Sequence, residues 1–177
     1  MQSLRLLLSL TLLAGATLAQ AADGLVTLKS PHDAARTMAR LVQQVEQRGL
    51  SLFARIDHAA GAARIGRQLR PTELLIFGNP QGGTPLLDCA QSAGIDLPLK
   101  ALVWEDASAQ VWLGYNDPAH IAARHGAADC PAAAQLQQAL AAIAAAVVAP
   151  EVGTTPAGRH RVRCALFAAA PAAPVGS

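Results

Sequence analysis

The sequence predicts a single α+β domain in which helices pack on a mixed or antiparallel sheet. Apolar β-type runs alternate with segments whose apolar residues recur at helical spacing. Two of the runs, Leu99 to Glu105 and Val111 to Tyr115, are separated by only a few residues, so they predict an antiparallel hairpin. Each predicted helix carries one apolar stripe, which suits a helix that lies on one sheet.

The predicted elements follow one another as β-α-β-α-β-α-β-β-α-α. In order they are a strand at Leu25 to Leu28, a helix from Ser30 to Gly49, a strand at Leu50 to Ile56, a helix from Asp57 to Pro71, a strand at Thr72 to Phe77, a helix from Thr84 to Gly94, the hairpin, a helix from Asp117 to Gly126 and a helix at Pro131 to Val148.

Helix starts are predicted from side chains that can cap a first turn. Ser30, Thr84 and Asp117 each precede a proline, whose missing N–H costs nothing in the first turn of a helix. Asp57 is expected to cap the second helix, whose apolar face is predicted to extend as far as Leu69.

The first 21 residues have the pattern of a secretory signal. Arg5 supplies a positive start, Leu6 to Leu18 an apolar stretch, and Ala19-Gln20-Ala21 a small-x-small cleavage site. Cleavage there predicts a domain over residues 22–148 without a transmembrane segment, in a periplasmic or secreted protein; an uncleaved membrane anchor is the alternative. Residues 149–177, rich in Ala and Pro and without periodicity, are predicted to be a disordered tail.

The charge distribution argues against nucleic-acid binding. Residues 22–150 hold ten basic and eleven acidic side chains, whereas Arg159, Arg161 and Arg163 concentrate positive charge in the tail. Aromatic residues are scarce, with three Phe, two Trp and one Tyr. Because a nucleic-acid surface needs basic residues clustered on the fold with aromatics among them, no nucleic-acid partner is predicted.

The chain has three cysteines, at positions 89, 130 and 164. An oxidising compartment permits a disulfide, and Cys89 with Cys130 is the predicted pair because both lie within the domain. Sequence does not fix the connectivity, so Cys89 as a small buried helix residue and Cys130 as a free thiol is the alternative. No two cysteines have the spacing of zinc ligands.

Four phrases place polar groups inside or beside apolar runs: Phe53 to His58, Arg70 to Pro80, Asp96 to Asp106 and Tyr115 to Pro118. In these phrases, their order and their spacing, the chain resembles domain-of-unknown-function family 302 over about residues 24–148. The resemblance implies a compact α+β domain similar to TATA-binding-protein-like folds, with a tendency to form dimers. That family has no established activity, so the resemblance implies no catalytic residues.

Lys100 is the first candidate site residue, because it stands in a strongly apolar run. If that strand is covered on both faces, the ammonium must be paired, and Glu73 and Asp57 are its expected partners. As a functional group it would hold an anionic ligand such as a carboxylate. The alternatives are a structural ion pair or an ammonium that reaches the surface at the sheet edge.

Other polar residues at strand ends are expected to line the same pocket mouth as Lys100. They are Asn79, Tyr115 and Asn116. Asparagine also stabilises turns by hydrogen bonding to its own backbone, so each asparagine also has a purely structural interpretation.

His58 is the candidate for metal or haem binding, or for a general base. It would act with Asp57 or with Glu105. The alternative makes Asp57 a helix cap and His58 an exposed first-turn residue. His120 and His125 are five residues apart and so do not share a helix face, and His125 is expected at a helix C-terminus.

The sequence therefore predicts an exported, non-enzymatic homodimer that binds a small apolar or amphipathic ligand. Lys100, Tyr115 and Asn116 would orient this ligand, with Asp57, His58, Asn79 and Glu73 as further candidates; no cofactor is identified. A metal- or haem-binding protein and a structural or interaction protein of the envelope are the two alternatives. No Gly-x-Ser-x-Gly elbow points to nucleophilic catalysis.

Overall fold

Five antiparallel strands form one sheet in the order β1-β5-β4-β3-β2 in the computed structural model, which describes residues 24–151. The strands are β1 (Leu25–Ser30), β2 (Ser51–Asp57), β3 (Thr72–Gly78), β4 (Leu99–Glu105) and β5 (Val111–Asn116). The helices are α1 (Ala34–Gln47), α2 (His58–Ala63), α3 (Pro80–Cys89), α4 (Pro118–Arg124) and α5 (Pro131–Val148), with a 3-10 helix at Gln91–Ile95. The predicted α+β class is confirmed, and the sheet is antiparallel throughout. The predicted signal, residues 1–21, and the predicted tail beyond residue 151 lie outside the described residues.

One face of the sheet packs against helices and forms the core. Side chains alternate between the two faces of a strand, and the buried strand residues belong to this covered face, with only Gly78 and Gly114 on the other. The largest core contributions come from α1 (Met38, Leu41, Val45), from α5 (Leu136, Leu140, Ile143, Val147) and from the strands (Leu75, Phe77, Val103, Leu113).

The opposite face of the sheet is apolar but only partly buried, and we call it the open face. Cross-strand pairing places its central residues side by side, from Ile56 through Leu74 and Leu102 to Gly114. At one end Trp104 stacks on Trp112, with ring centroids 6.2 Å apart. The residues of the open face are Leu25, Thr27, Lys29, Ser51, Ala54, Ile56, Thr72, Leu74, Ile76, Gly78, Lys100, Leu102, Trp104, Trp112, Gly114 and Asn116.

Gly114 allows this aromatic packing. A Cβ atom at this position would lie 2.8 Å from Cζ3 of Trp104, closer than side-chain atoms approach one another. The Trp104 ring therefore lies directly over the backbone of β5. The neighbouring Trp112 makes a cation–π contact with Lys29, whose Nζ lies 5.4 Å from the ring centroid.

Helix α1 starts later than the sequence predicts. Its cap is Asp33, whose carboxylate accepts a hydrogen bond from the backbone N–H of Arg36 at 2.7 Å, and Ser30 is not the cap. Ser30 instead ends β1, because that strand pairs with β5 as far as Val111. The Ser30 hydroxyl is buried 2.7 Å from the hydroxyl of Thr37, so it is satisfied inside the core.

Helix α2 is shorter than predicted. It ends at Ala63 because Gly66 adopts φ of 70° and closes the C-terminus, with its N–H bonded to the carbonyl of Ala63. Ile65 and Leu69 consequently lie beyond the helix, 74% and 50% exposed, and do not extend its apolar face.

Helix α3 begins five residues before the predicted start. Asn79 caps it by accepting from the N–H of Gly82 at 2.8 Å, and Pro80 occupies the first turn. Thr84 is therefore inside the helix and not its cap, and so is Pro85. The predictions for the hairpin, for α4 with its cap Asp117, and for α5 agree with the structure.

Helix α5 is the one described helix that is long and apolar enough to cross a membrane, with 18 residues and a mean hydropathy of 1.4. Length and composition are the only support for a membrane span. Seven of its residues are buried against the rest of the domain, which is the arrangement of a core helix.

Asp106 organises the turn between β4 and β5. One of its carboxylate oxygens accepts from the Ser108 N–H at 2.8 Å, the Ser108 hydroxyl at 2.6 Å and the Gln110 N–H at 3.0 Å. The other oxygen accepts from Nε1 of Trp112 at 2.7 Å. These bonds, led by the one from Ser108 and then that from Trp112, hold the pKa of Asp106 far below its usual range.

We expect Asp106→Ala to remove part of the acid sensitivity of the domain. A carboxyl group whose folded-state pKa is depressed stabilises the fold above its ordinary pKa of 3.8, and this contribution is lost as the pH falls toward the folded-state value. Urea unfolding between pH 6 and pH 2 should therefore show a flatter dependence for Asp106→Ala than for the wild type. The exposed Asp88→Ala variant is the control, and parallel curves for all three proteins would contradict the prediction.

Candidate functional site

An apolar cavity of about 480 Å³ lies at the end of β3, between α3 and α5. One wall is the inner side of α5, from Leu136 to Ile143, and the facing wall is formed by α3 and the 3-10 helix. Phe53, at the start of β2, is 57% exposed and lines the same space. A volume of this size is typical of small-molecule sites.

Among the residues that the structure describes, Asn79 and Thr84 supply the polar side chains that line the cavity. The Oδ1 of Asn79 is used to cap α3, which leaves the amide nitrogen as a donor. An apolar cavity with so few polar groups suits a small apolar or amphipathic molecule, because a more polar ligand would lose hydrogen bonds to water on entry.

Two glycines of α3 keep the cavity open. A Cβ atom on Gly82 would lie 3.2 Å from Oδ1 of Asn79 and 3.5 Å from Cδ2 of Leu136, and one on Gly83 would lie 3.7 Å from Leu97. Larger side chains at either position would occupy the space between α3 and α5.

The structure does not gather the residues predicted for one pocket mouth. Asn79 lines the cavity, but Tyr115 points into the covered face, where it pairs with Val26 and Ala101. Burial, together with the charge of Asp117, raises the pKa of Tyr115.

Lys100 lies on the open face, and its partners are backbone carbonyls. Its Nζ donates to the carbonyl oxygens of Asp96 at 2.8 Å and Pro98 at 3.1 Å. The expected pairing with Glu73 or Asp57 is wrong, because both carboxylates are carried on the covered face. Among residues 24–151 only one side of the sheet is covered, so within this part of the chain the ammonium can reach the surface.

Glu73 and Asp57 lie opposite each other on β3 and β2, beside Arg55. Glu73 accepts two hydrogen bonds from the Arg55 guanidinium, one of them from Nη2 at 2.9 Å, and this contact raises the pKa of Arg55. The three side chains line a second cavity, of about 420 Å³, together with Leu69. The Asp57 carboxylate caps α2 through the N–H of Ala60 at 2.8 Å, as its structural interpretation predicts.

The side chains proposed for a metal site do not form a ligand cluster. His58 is the exposed first residue of α2, and Glu105 ends β4 opposite Val111. Within residues 24–151 no three His, Cys, Asp or Glu side chains converge in a way that could hold a metal ion.

One polar cluster was missed by sequence reasoning. Nδ1 of His125 lies 2.9 Å from the Ser92 hydroxyl, and its Nε2 lies 2.8 Å from Oδ2 of Asp96. The other carboxylate oxygen of Asp96, Oδ1, accepts a hydrogen bond from Nη1 of Arg124 at 3.2 Å. A Ser–His–Asp chain can activate a hydroxyl, but none of these residues lines either cavity. The cluster therefore acts as a link between the 3-10 helix and the end of α4. His125 is 33 residues from Ser92 and 29 residues from Asp96 in the chain, so no local pattern reveals the cluster.

The predicted cysteine pair forms a disulfide. Cys89 ends α3 and Cys130 precedes α5, with their Cα atoms 6.1 Å apart. The third cysteine, Cys164, lies outside the described residues.

Comparison with known proteins supports the family resemblance. The model of the family described as "Domain of unknown function DUF302" matches residues 26–146. A crystal structure of an uncharacterized conserved DUF302 protein from Bacillus stearothermophilus has a TM-score of 0.65 to this chain, with 21% sequence identity, and the match covers 71% of this chain and 99% of the other. At this identity the likeness establishes the fold alone.

Curated relatives cover a part of the chain at higher identity. Proteins named fluoride-specific ion channel FluC 1, from Brucella suis biovar 1 (strain 1330) and Brucella abortus biovar 1 (strain 9-941), are each 51% identical to this chain over 103 residues. The match covers 58% of this chain, but 41% and 38% of those relatives. The chain thus spans about two fifths of the length of the curated relatives it matches.

Proposed function

The chain belongs to the family of domain of unknown function DUF302, and we propose that it is an exported, non-enzymatic homodimer that binds a small ligand. The cavity between α3 and α5 carries this proposal. Its size and its apolar walls favour an apolar or amphipathic molecule, with a single polar end placed near Asn79 and Thr84. Lys100, Tyr115 and Asn116 lie elsewhere and so do not orient this ligand.

The first test uses N-phenyl-1-naphthylamine, a small apolar dye whose fluorescence rises when it leaves water. We expect the protein to bind the dye and Ala139→Trp to weaken binding at least about tenfold, because the indole would fill space that the dye needs. Ala142→Trp is the matched control, since Ala142 lies on the exposed side of the same helix and does not line the cavity. Equal binding by both variants, measured by fluorescence titration, would place the dye elsewhere.

A complementary test is native mass spectrometry of the mature protein prepared from the periplasm. Recovery there supports export, and a co-purified small molecule would name the ligand class. Absence of the protein from the periplasmic and secreted fractions would contradict the predicted localisation.

The open face supports the homodimer. The largest contiguous apolar patch on a typical monomeric protein is about 300–600 Å² and is often a functional surface. Five strands about 4.8 Å apart and six or seven residues long give a face of roughly 24 by 20 Å in projection. The projected area of such a face, about 480 Å², is more than half of the roughly 800 Å² that one partner contributes to a standard interface.

A second candidate function is that of an interaction domain that acts beside a membrane channel. It is favoured by the relatives named fluoride-specific ion channels, most of whose length lies outside the match. A domain that shares a polypeptide with a channel in one organism can serve a separate channel in another. The test is fluoride tolerance of cells that lack this protein, and unchanged tolerance together with unchanged fluoride efflux would count against the idea.

A further inference from the structure

One wall of the cavity is a separate strap of chain, which we define as α3 and the 3-10 helix, residues 80–95. The strap contributes the backbone of Gly82, Gly83 and Gly94 and the side chains of Thr84 and Leu87 to the cavity lining. Leu86 and Ala93, which are both fully buried, anchor it in the core. The width of the cavity therefore depends on the position of the strap.

The strap is intrinsically a poor helix. Gly82 and Gly83 have the lowest helix propensity after proline, because they lose the most backbone entropy. Pro85 lies inside α3, where it cannot donate a backbone hydrogen bond. A helix of this composition depends on external contacts to keep its place.

Two tethers supply such contacts, and both join the strap to the segment between α4 and α5. The first is the disulfide from Cys89, at the end of α3, to Cys130. The second is the polar cluster in which His125 contacts Ser92 within the strap and Asp96 just after it. Of these tethers, the disulfide alone is covalent, so it has the larger effect on the freedom of α3.

The disulfide is open to attack by a thiol from one side. Cys89 is exposed, whereas Cys130 is buried. A thiolate that attacks Sγ of Cys89 forms a mixed disulfide and releases Cys130 as a thiolate. The second thiol of the same dithiol then displaces Cys89, so that both cysteines are reduced and the dithiol is oxidised to its own disulfide.

We propose that the disulfide makes the strap a redox-controlled wall of the ligand cavity. In the oxidised protein the strap is held against α5 and ligand exchange is slow; reduction by a dithiol frees α3 and accelerates both uptake and release. The effect on ligand exchange rests on the proposed ligand-binding function, whereas the release of the strap does not.

Hydrogen–deuterium exchange tests the release of the strap without any ligand. After reduction by dithiothreitol, verified by intact mass, amides of residues 80–95 should exchange at least about tenfold faster, while those of β4 and β5 remain protected. Unchanged exchange across the strap in verified reduced protein would overturn the proposal.

Stopped-flow release of N-phenyl-1-naphthylamine tests the effect on the cavity. We expect dissociation to be about tenfold faster after reduction. The Cys89→Ser/Cys130→Ser double variant should release the dye as fast as reduced wild type and should not respond to dithiothreitol. Equal release rates in both redox states would overturn the gating role. A dye that binds in neither state would count against the proposed function, and strap release would still be decided by hydrogen exchange.

Discussion

Leu102→Glu is expected to convert the proposed homodimer into a monomer while leaving the fold nearly as stable as before. Leu102 lies at the centre of the open face, between Leu74 and Gly114. In a dimer formed through this face, the partner would cover position 102 and deprive the new carboxylate of water. The penalty for such a buried charge is several kcal/mol. Because each 1.4 kcal/mol of binding free energy changes the dissociation constant about tenfold, we expect this constant to rise at least about a hundredfold.

Light scattering over a range of protein concentrations measures this change directly. Gln43→Glu adds the same charge on the exposed side of α1 and should leave the dimer intact. A monomeric wild type would overturn the proposed dimer. A dimeric Leu102→Glu variant would show instead that another surface joins the two chains.

Local patterns were sufficient to predict the C-terminal half of the fold. The short connection between β4 and β5 determines that they pair. The buried side of α5 is predictable because its apolar residues recur at helical spacing, at Leu136, Leu140, Ile143 and Val147. The cap Asp117 is followed by proline and lies close to a strand end, so a single interpretation fits it.

The misplaced helix starts arose where two local interpretations compete. Ser30 and Asp33 can both cap α1, and the choice is made by strand pairing to Val111, which is not visible locally. Asn79-Pro80 and Thr84-Pro85 can both begin α3, because each places a capping side chain before a proline. The helix begins at the first pair because β3 ends immediately before it.

The candidate site could be predicted only in part. Asn79 was identified because it ends a strand, but the apolar lining comes from segments far apart in the chain, such as Phe53 and Leu140. The error over Lys100 has a related cause, since sequence does not reveal that the described helices all pack on the other side of the sheet from Lys100. The pairing of His125 with Asp96 likewise depends on how α4 packs.

Substitution of Phe77 and of Phe53 should have different effects, the first mainly on the free energy of unfolding and the second mainly on dye binding. Phe77 is fully buried on the covered face, where it pairs with Leu99 and Leu52 on the neighbouring strands. Removal of its ring would leave a void that the surrounding core cannot close. We therefore expect Phe77→Ala to lower the free energy of unfolding by about 3–5 kcal/mol, the largest stability change among these variants.

Phe53 lines the cavity but is 57% exposed, so its replacement leaves little void in the core. Phe53→Ala should cost less than about 1 kcal/mol of stability and yet weaken dye binding by about tenfold, because the ligand loses an apolar contact. Urea unfolding and fluorescence titration of the two variants measure the two effects side by side. A loss of stability in Phe53→Ala as large as that in Phe77→Ala would mean that its ring belongs to the folding core. Undiminished dye binding would remove it from the ligand site.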